Sequence, residues 1–246
     1  MLNLLVVEDN LSFAKCLINS VIKSFSNLRL CKIAINGLEA LEELERENID
    51  IILLDLKMPE YNGVKLIEEL EGRNLKKYYS SVIVISNEFD FIEQIKTSPF
   101  IYTYITKICG IDSIFNELNN LITSKENELL KLSFREQIIN ELQSINYKLT
   151  YNGTQYIIDS ILLLMDMDNP FCFNLKNDVY PILAQRYNTS INNIKINITN
   201  ATDNMFYDCD SKKLQQYFGL VIDHKPKPKL VITTILNKLY KNIYKG

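Results

Sequence analysis

Five short apolar runs alternate with amphipathic stretches through the first half of the chain, and this alternation limits the fold more than any other feature. Leu2–Val7, Leu28–Ala34, Ile49–Leu54, Ser81–Ile85 and Phe100–Ile105 have the length of strands. Ser12–Phe25, Gly37–Glu47, Val64–Leu70, Glu88–Lys96 and Ile111–Ile122 lie between or after them and carry apolar residues at helical spacing. Ile49–Leu54 is almost unbroken in its apolar character, as a strand covered on both faces requires. Strands that each return through a helix run parallel, so the expected fold is α/β: a five-stranded parallel sheet with helices on both faces. Ligands of such sheets bind beyond the carboxyl ends of the strands.

The polar residues at those ends form a consistent set. Glu8 and Asp9 follow the first run, Asp55 the third, Ser86 the fourth and Lys107 the fifth. Each alone is an ordinary loop residue. Together they project from one rim, where three carboxylates repel one another unless a cation joins them. Hard oxygen ligands favour Mg2+. A lysine and a hydroxyl beside them offer donors to the oxygens of an incoming phosphoryl group.

The strings Val6-Val7-Glu8-Asp9-Asn10, Asp55-Leu56-Lys57-Met58-Pro59 with Gly63, Ile85-Ser86, and Tyr104 with Lys107 carry a family resemblance. Residues 1–122 resemble the receiver domains of bacterial two-component systems, which have a flavodoxin-like fold. The resemblance implies that Asp55 takes a phosphoryl group from a histidine kinase or phosphotransfer protein. It implies Mg2+ held by Glu8, Asp9, Asp55 and the carbonyl of Lys57, phosphoryl contacts from Ser86 and Lys107, and a switch in the rotamer of Tyr104. Two positions depart from the family pattern. Ile108 stands where receivers usually carry a proline after the lysine. A cis bond before a non-proline residue costs about 2.5–4 kcal/mol; a trans peptide and a displaced Lys107 are therefore expected. Asn87 replaces the usual small residue after the strand-four hydroxyl, which narrows access to the phosphoryl group.

The polar stretch 123–133 is expected to be a linker, either flexible or an extension of the preceding helix. From Phe134 to Gly246 the parallel-strand pattern does not recur. Ile138, Ile139, Leu142 and Ile145 suit one helix, and Tyr156, Ile157, Ser160, Ile161 and Leu164 another. Pro181 fits the first turn of a helix over Pro181–Tyr187, where its missing N–H costs nothing. Asn188-Thr189-Ser190 reads as a turn with Ser190 as N-cap of the next helix. There Ile191, Ile194, Ile198, Ala201 and Met205 form an expected buried stripe. Asn192, Asn193, Ile196, Thr199, Asn200 and Asp203 face away from it. This pattern suits a helix-turn-helix, and equally any helical hairpin of a bundle. Lys225, Lys227 and Lys229 alternate with Pro226 and Pro228, a rigid basic segment suited to phosphate contacts or simply to solvent.

Val179-Tyr180-Pro181, Ala184, Arg186-Tyr187-Asn188-Thr189, Phe218-Gly219 and Lys225-Pro226-Lys227-Pro228 carry a second resemblance. Residues 134–242 resemble the DNA-binding output domain of the sporulation-initiation master regulators, the stage 0 sporulation protein A family, within an output domain expected over 134–246. The implication is an all-α, six-helix domain containing a helix-turn-helix, with phosphorylation-dependent homodimerisation, binding to double-stranded DNA and a role in sporulation. The family's recognition helix is rich in arginine, whereas this one has Lys195 as its only cation. Asn192, Asn193, Lys195, Ile196, Thr199, Asn200, Lys225, Lys227 and Lys229 are the candidate DNA contacts.

Charge agrees with two modules. Residues 1–127 carry 13 basic and 19 acidic side chains, and residues 128–246 carry 14 and 11. Five scattered cysteines without a CxxC pair read as reduced packing residues, and His224, the one histidine, argues against a histidine-rich metal site. No run reaches the ~18–20 apolar residues of a membrane span, and Met1–Val7 lacks a basic head before Glu8, so the cytoplasm is the expected compartment. The second half shows no nucleophile–base pair, which speaks against an enzyme. The expected function is a phosphorylation-regulated transcription factor. The alternative is a phosphoryl-relay or phosphate-sink protein whose output domain binds protein.

Overall fold

The computed structural model describes residues 1–72, 81–219 and 224–243. The chain divides into two compact units, Met1–Glu126 and Asn127–Gly246.

The first unit is a parallel sheet of five strands, β1 (Leu2–Val7), β2 (Leu28–Ala34), β3 (Ile51–Leu54), β4 (Ser81–Ile85) and β5 (Ile101–Ile105), in the order β2-β1-β3-β4-β5. Helices α1 (Leu11–Ser24), α2 (Gly37–Arg46), α3 (Gly63–Gly72), α4 (Phe89–Ile95) and α5 (Gly110–Ser144) follow the strands in turn. Alternate strand residues feed two cores. Leu5, Val7, Ile52 and Leu54 pack with Leu41, Leu44, Ile67 and Leu70 on one face. Leu4, Val6, Ile51 and Leu53 pack with Leu17, Val21, Ile114 and Leu118 on the other. Asn10 and Asn36 cap α1 and α2, accepting from the backbone N–H of Phe13 and Glu39. β3 begins two residues later than its apolar run, because Asp50 turns its carboxylate onto the backbone N–H of Asn3 at 2.7 Å.

Residues 123–133, expected as a linker, lie within α5, which has no proline or glycine there to stop it. The helix ends after Ser144. Asn146 adopts a left-handed conformation (φ 60°), and the amides of Asn146 and Tyr147 donate to the carbonyls of Gln143 and Leu142. This is a Schellman closure, and Leu142 and Tyr147 at its two ends are both buried.

The second unit is all helical among the described residues. After α5 come α6 (Asn152–Met165), a π-helical turn (Leu175–Val179), α7 (Tyr180–Arg186), α8 (Ile191–Asp208), α9 (Ser211–Phe218) and α10 (Pro228–Ile243). Their apolar faces share one core that includes Ile138, Leu142, Ile161, Leu183, Ile198, Met205, Ile235 and Leu239. α6 crosses α8 at a point where only glycine fits: a Cβ on Gly153 would lie 1.9 Å from the Asn197 carbonyl oxygen. The expected stripe on α8 needs one correction. Ile194, Ile198, Ala201 and Met205 are buried, whereas Ile191, the first residue of the helix, is 46% exposed. The Lys-Pro segment is short, because Pro228 already opens α10.

Candidate functional site

The order of the sheet places β1 beside β3, where the direction of winding reverses, and this is the point at which such folds bind ligands. The ends of these two strands supply the carboxylates. Glu8 and Asp55 are buried and Asp9 is exposed, and one oxygen from each lies within 4.8 Å of the others. Gly63 lets the loop after β3 close on itself. Its amide donates to the Leu56 carbonyl at 3.0 Å, and a Cβ there would sit 2.5 Å from the Asp55 carbonyl oxygen. Ser86, at the end of β4, is 1% exposed, and its hydroxyl accepts from the Glu88 amide at 3.3 Å. Asn87 beside it is exposed.

Lys107 corrects an expectation. The structure contains no cis peptide among its described residues, so Lys107–Ile108 is trans as expected, yet Lys107 is not displaced. Its Nζ donates to Asp55 Oδ2 at 2.7 Å and pairs with Glu8 Oε2 at 2.9 Å, over the ring of Phe13. A 3-10 turn at Lys107–Cys109, closed by Gly110 at φ 78°, brings the chain round without a cis bond. Burial acts against the ammonium, but hydrogen bonds and charge from Asp55 and Glu8 outweigh it and hold the Lys107 pKa above the ordinary lysine value. Burial likewise pushes the Glu8 carboxyl up, against the pull of Lys107. Tyr104 is partly buried and its hydroxyl donates to the Ile95 carbonyl at 3.3 Å, with burial raising its pKa. The loop after β3 is tied to that after β4 by Lys57, whose Nζ donates to Glu88 Oε1 at 2.9 Å, while its amide lies 3.4 Å from Asp55 Oδ1.

In the second unit the two helices of the expected motif are α7 and α8. α7 ends in another Schellman closure: Asn188 is left-handed at φ 48°, and the amides of Asn188 and Thr189 donate to Gln185 and Ala184. Ser190 then caps α8, accepting from the Asn193 amide at 3.1 Å. Asn192, Asn193, Lys195, Ile196 and Asn200 are exposed on α8, and Thr199 is half-buried with its hydroxyl on the Lys195 carbonyl. Asn193 is already engaged: it donates to Thr189 Oγ1 at 2.7 Å and accepts from Asn197 at 2.7 Å. Two of the three lysines of the Lys-Pro segment are also held. Lys225 pairs with Asp203 at 2.8 Å and covers the Tyr207 ring, and Lys229 donates to the Phe173 carbonyl at 2.9 Å. Lys227 is exposed.

Residues 4–119 match the family model of the response regulator receiver domain, and residues 138–239 match that of the sporulation initiation factor Spo0A C terminal. The chain joins a response regulator receiver domain to a Spo0A-type C-terminal domain. Among curated relatives, a protein-glutamate methylesterase/protein-glutamine glutaminase of Treponema denticola is 37% identical over 75 residues, 30% of this chain and 20% of the relative. The match falls in the receiver domain, and the chain spans about a fifth of the length of the curated relatives it matches. Among solved structures, the response regulatory domain of mrkE from Klebsiella pneumoniae is 22% identical, covering 51% of this chain and 98% of that one with a TM-score of 0.46. The response regulator TrrA of Thermotoga maritima, in complex with Mg2+ and BeF, is 23% identical, covering 49% and 99% with a TM-score of 0.42.

The rim of the receiver thus collects Glu8, Asp9, Asp55, Lys57, Ser86 and Lys107 from four strand ends, with Tyr104 on β5 nearby in sequence. Sequence reasoning passed over Asp159 in α6. It is 4% exposed and bonded to Arg135, Gln155 and Tyr187. The available signal was a carboxylate set within the apolar run Ile157–Leu164.

Proposed function

We propose that this response regulator accepts a phosphoryl group on Asp55 and in consequence controls the binding of its Spo0A-type domain to double-stranded DNA. The observation that carries the first half is the contact of Lys107 with Asp55 inside the cluster of Glu8, Asp9 and Asp55. An Asp55 oxygen attacks the phosphorus of a phosphohistidine on a histidine kinase or phosphotransfer protein. The P–N bond breaks as the O–P bond of the acyl phosphate forms, and the imidazole nitrogen that leaves takes a proton from solvent. In this reading Lys107 and Ser86 donate to the phosphoryl oxygens, in a buried setting where donors count for more than in water.

The donor set also suits a divalent cation. Glu8, Asp9 and Asp55 are all hard oxygen donors within reach of one another, and Lys107 alone does not balance three carboxylates. Glu8, Asp9, Asp55 and the Lys57 carbonyl would hold Mg2+. When bound, the ion supplies charge neutralisation for the transferring phosphoryl group.

The second half rests on the match of residues 138–239 and on the capped turn that presents α8. In this reading Asn192, Asn193, Ile196, Thr199 and Asn200 face bases and Lys195, Lys225, Lys227 and Lys229 face phosphates. The phosphorylated protein acts as a homodimer in the cytoplasm, and sporulation is the process the resemblance suggests. One observation favours a second reading, a relay or phosphate sink: α8 has one cation, and Asn193, Lys225 and Lys229 already have partners within the fold. Incubation with acetyl phosphate, read by intact mass, tests the phosphoacceptor. One phosphoryl group is expected, lost in Asp55→Asn and suppressed by EDTA; label retained in Asp55→Asn excludes the assignment.

A further inference from the structure

Among the described residues of the second unit, Asp159 is the one charged side chain that is buried. Its surroundings come from three helices. Arg135 of α5 and Gln155 of α6 donate to Oδ1, the latter at 2.9 Å. The hydroxyl of Tyr187, at the end of α7, donates to Oδ2, and Arg186 stands 3.9 Å from the same oxygen. The Tyr187 ring is fixed from its other side by an edge-on contact with Tyr156, centroids 4.7 Å apart.

An ion pair with a buried carboxylate and a half-buried guanidinium is a poor way to gain stability. Desolvating the carboxylate and guanidinium offsets most of their attraction, and apolar side chains of similar volume commonly serve as well or better. What such a pair can give is register, because its hydrogen bonds are satisfied in one arrangement only. The location makes register matter here. Tyr187 is the last residue before Asn188 turns left-handed, and the three residues Asn188–Ser190 set the direction in which α8 leaves. Nothing on α8 contacts Asp159 directly in the bonds described, so the control runs through the turn.

We infer that Asp159 is a positioning residue that locks the turn before α8 to helix α5, with Arg135 and Tyr187 as the two ends of the lock. A shift of α5 against α6 then changes the pull on Tyr187 and hence the pose of α8. The inference deepens the reading of α8 as the DNA-contacting helix and rests on it for its functional meaning.

The test is hydrogen exchange of the full-length protein, wild type against Arg135→Met, Arg135→Lys and Tyr187→Phe. The amides of Asn188, Thr189, Asn193 and Ile194 report on the turn. In Arg135→Met they are expected to exchange roughly tenfold faster, as loss of one bond to a charged group implies, while those of Val231–Leu239 in α10 change by less than about twofold. Tyr187→Phe gives the same pattern, the double variant adds little to either single one, and Arg135→Lys recovers most of the protection. Unchanged turn amides in Arg135→Met overturn the inference. So does equal loss of protection throughout the second unit, which marks a merely structural pair. Since exchange is read without DNA, failure of the wild type to bind DNA sinks the proposed function and leaves this result to decide the lock independently.

Discussion

Replacing Gly153 by alanine tests the packing that seats α8. A Cβ at this position would lie 1.9 Å from the Asn197 carbonyl oxygen, 2.5 Å from its carbonyl carbon and 2.8 Å from Ala201 Cβ. A carbon–oxygen contact needs about 3.3 Å, so α6 and α8 must part by about 1.4 Å. Overpacking of this kind costs about 1–3 kcal/mol. The same movement pulls the buried Tyr147 hydroxyl from Thr154 and from the Ala201 carbonyl, bonds of 3.0 and 3.1 Å, at about 1 kcal/mol each. Better helix propensity returns at most about 1 kcal/mol. The net loss is about 2–4 kcal/mol, or a fall of roughly 10–20 °C in Tm for a domain of this size. Calorimetric melting of the full chain measures it, with Gly72→Ala as control, since a Cβ there meets nothing within 4 Å. A Gly153→Ala protein that melts at or above the wild type shows that the close crossing is not a constraint and that propensity decides at this site.

Ser190→Ala removes the cap of α8 and is expected to cost about 1 kcal/mol, read as a lower denaturant midpoint with unchanged slope, while Ser190→Asp keeps most of it. Tyr147 and Tyr187 have pKa values pushed up to about 12, first by burial, from 10.0 in the unfolded chain. The folded state therefore holds these protons more tightly. Their stabilisation is complete below pH about 10 and is lost as pH rises through about 12, so stability against denaturant should fall across that window; a flat profile refutes the assignment. If the output domain binds DNA, Lys227→Ala should lower the slope of log K against log salt by about 0.9, and Lys225→Ala by less, because Asp203 already neutralises it.

The strands of the receiver were legible because each carries its own signal. β1, β2 and β4 run between the residues where their apolar character starts and stops, and the carboxylates of the rim sit directly after β1 and β3. The reach of Lys107 was not legible. The rule that a non-proline peptide stays trans held, but the consequence drawn from it failed, because the 3-10 turn that redirects the chain depends on Gly110 and on partners distant in sequence. The continuity of α5 was half legible: polarity at 123–133 suggested a linker, whereas the absence of a breaker and the Asn146 closure decide for helix. α9 has a capping Asp210 and a stop at Gly219, yet its apolar positions are too few to stand out. The Asp159 lock joins residues from three helices, and no single window of sequence contains it.

In the proposed function the state of Asp55 governs the output domain. Affinity for double-stranded DNA selected from a random pool, measured at fixed salt with and without beryllofluoride and Mg2+, addresses it in one titration. The expected selected core is A·T-rich, read by Asn192, Asn200 and the Ile196 side chain in the absence of an arginine on α8. A gain in affinity of about 5-fold or more is expected on adding beryllofluoride to the wild type, and none in Asp55→Asn. The same affinity in both states of the wild type, or an equal gain in Asp55→Asn, contradicts the proposed function.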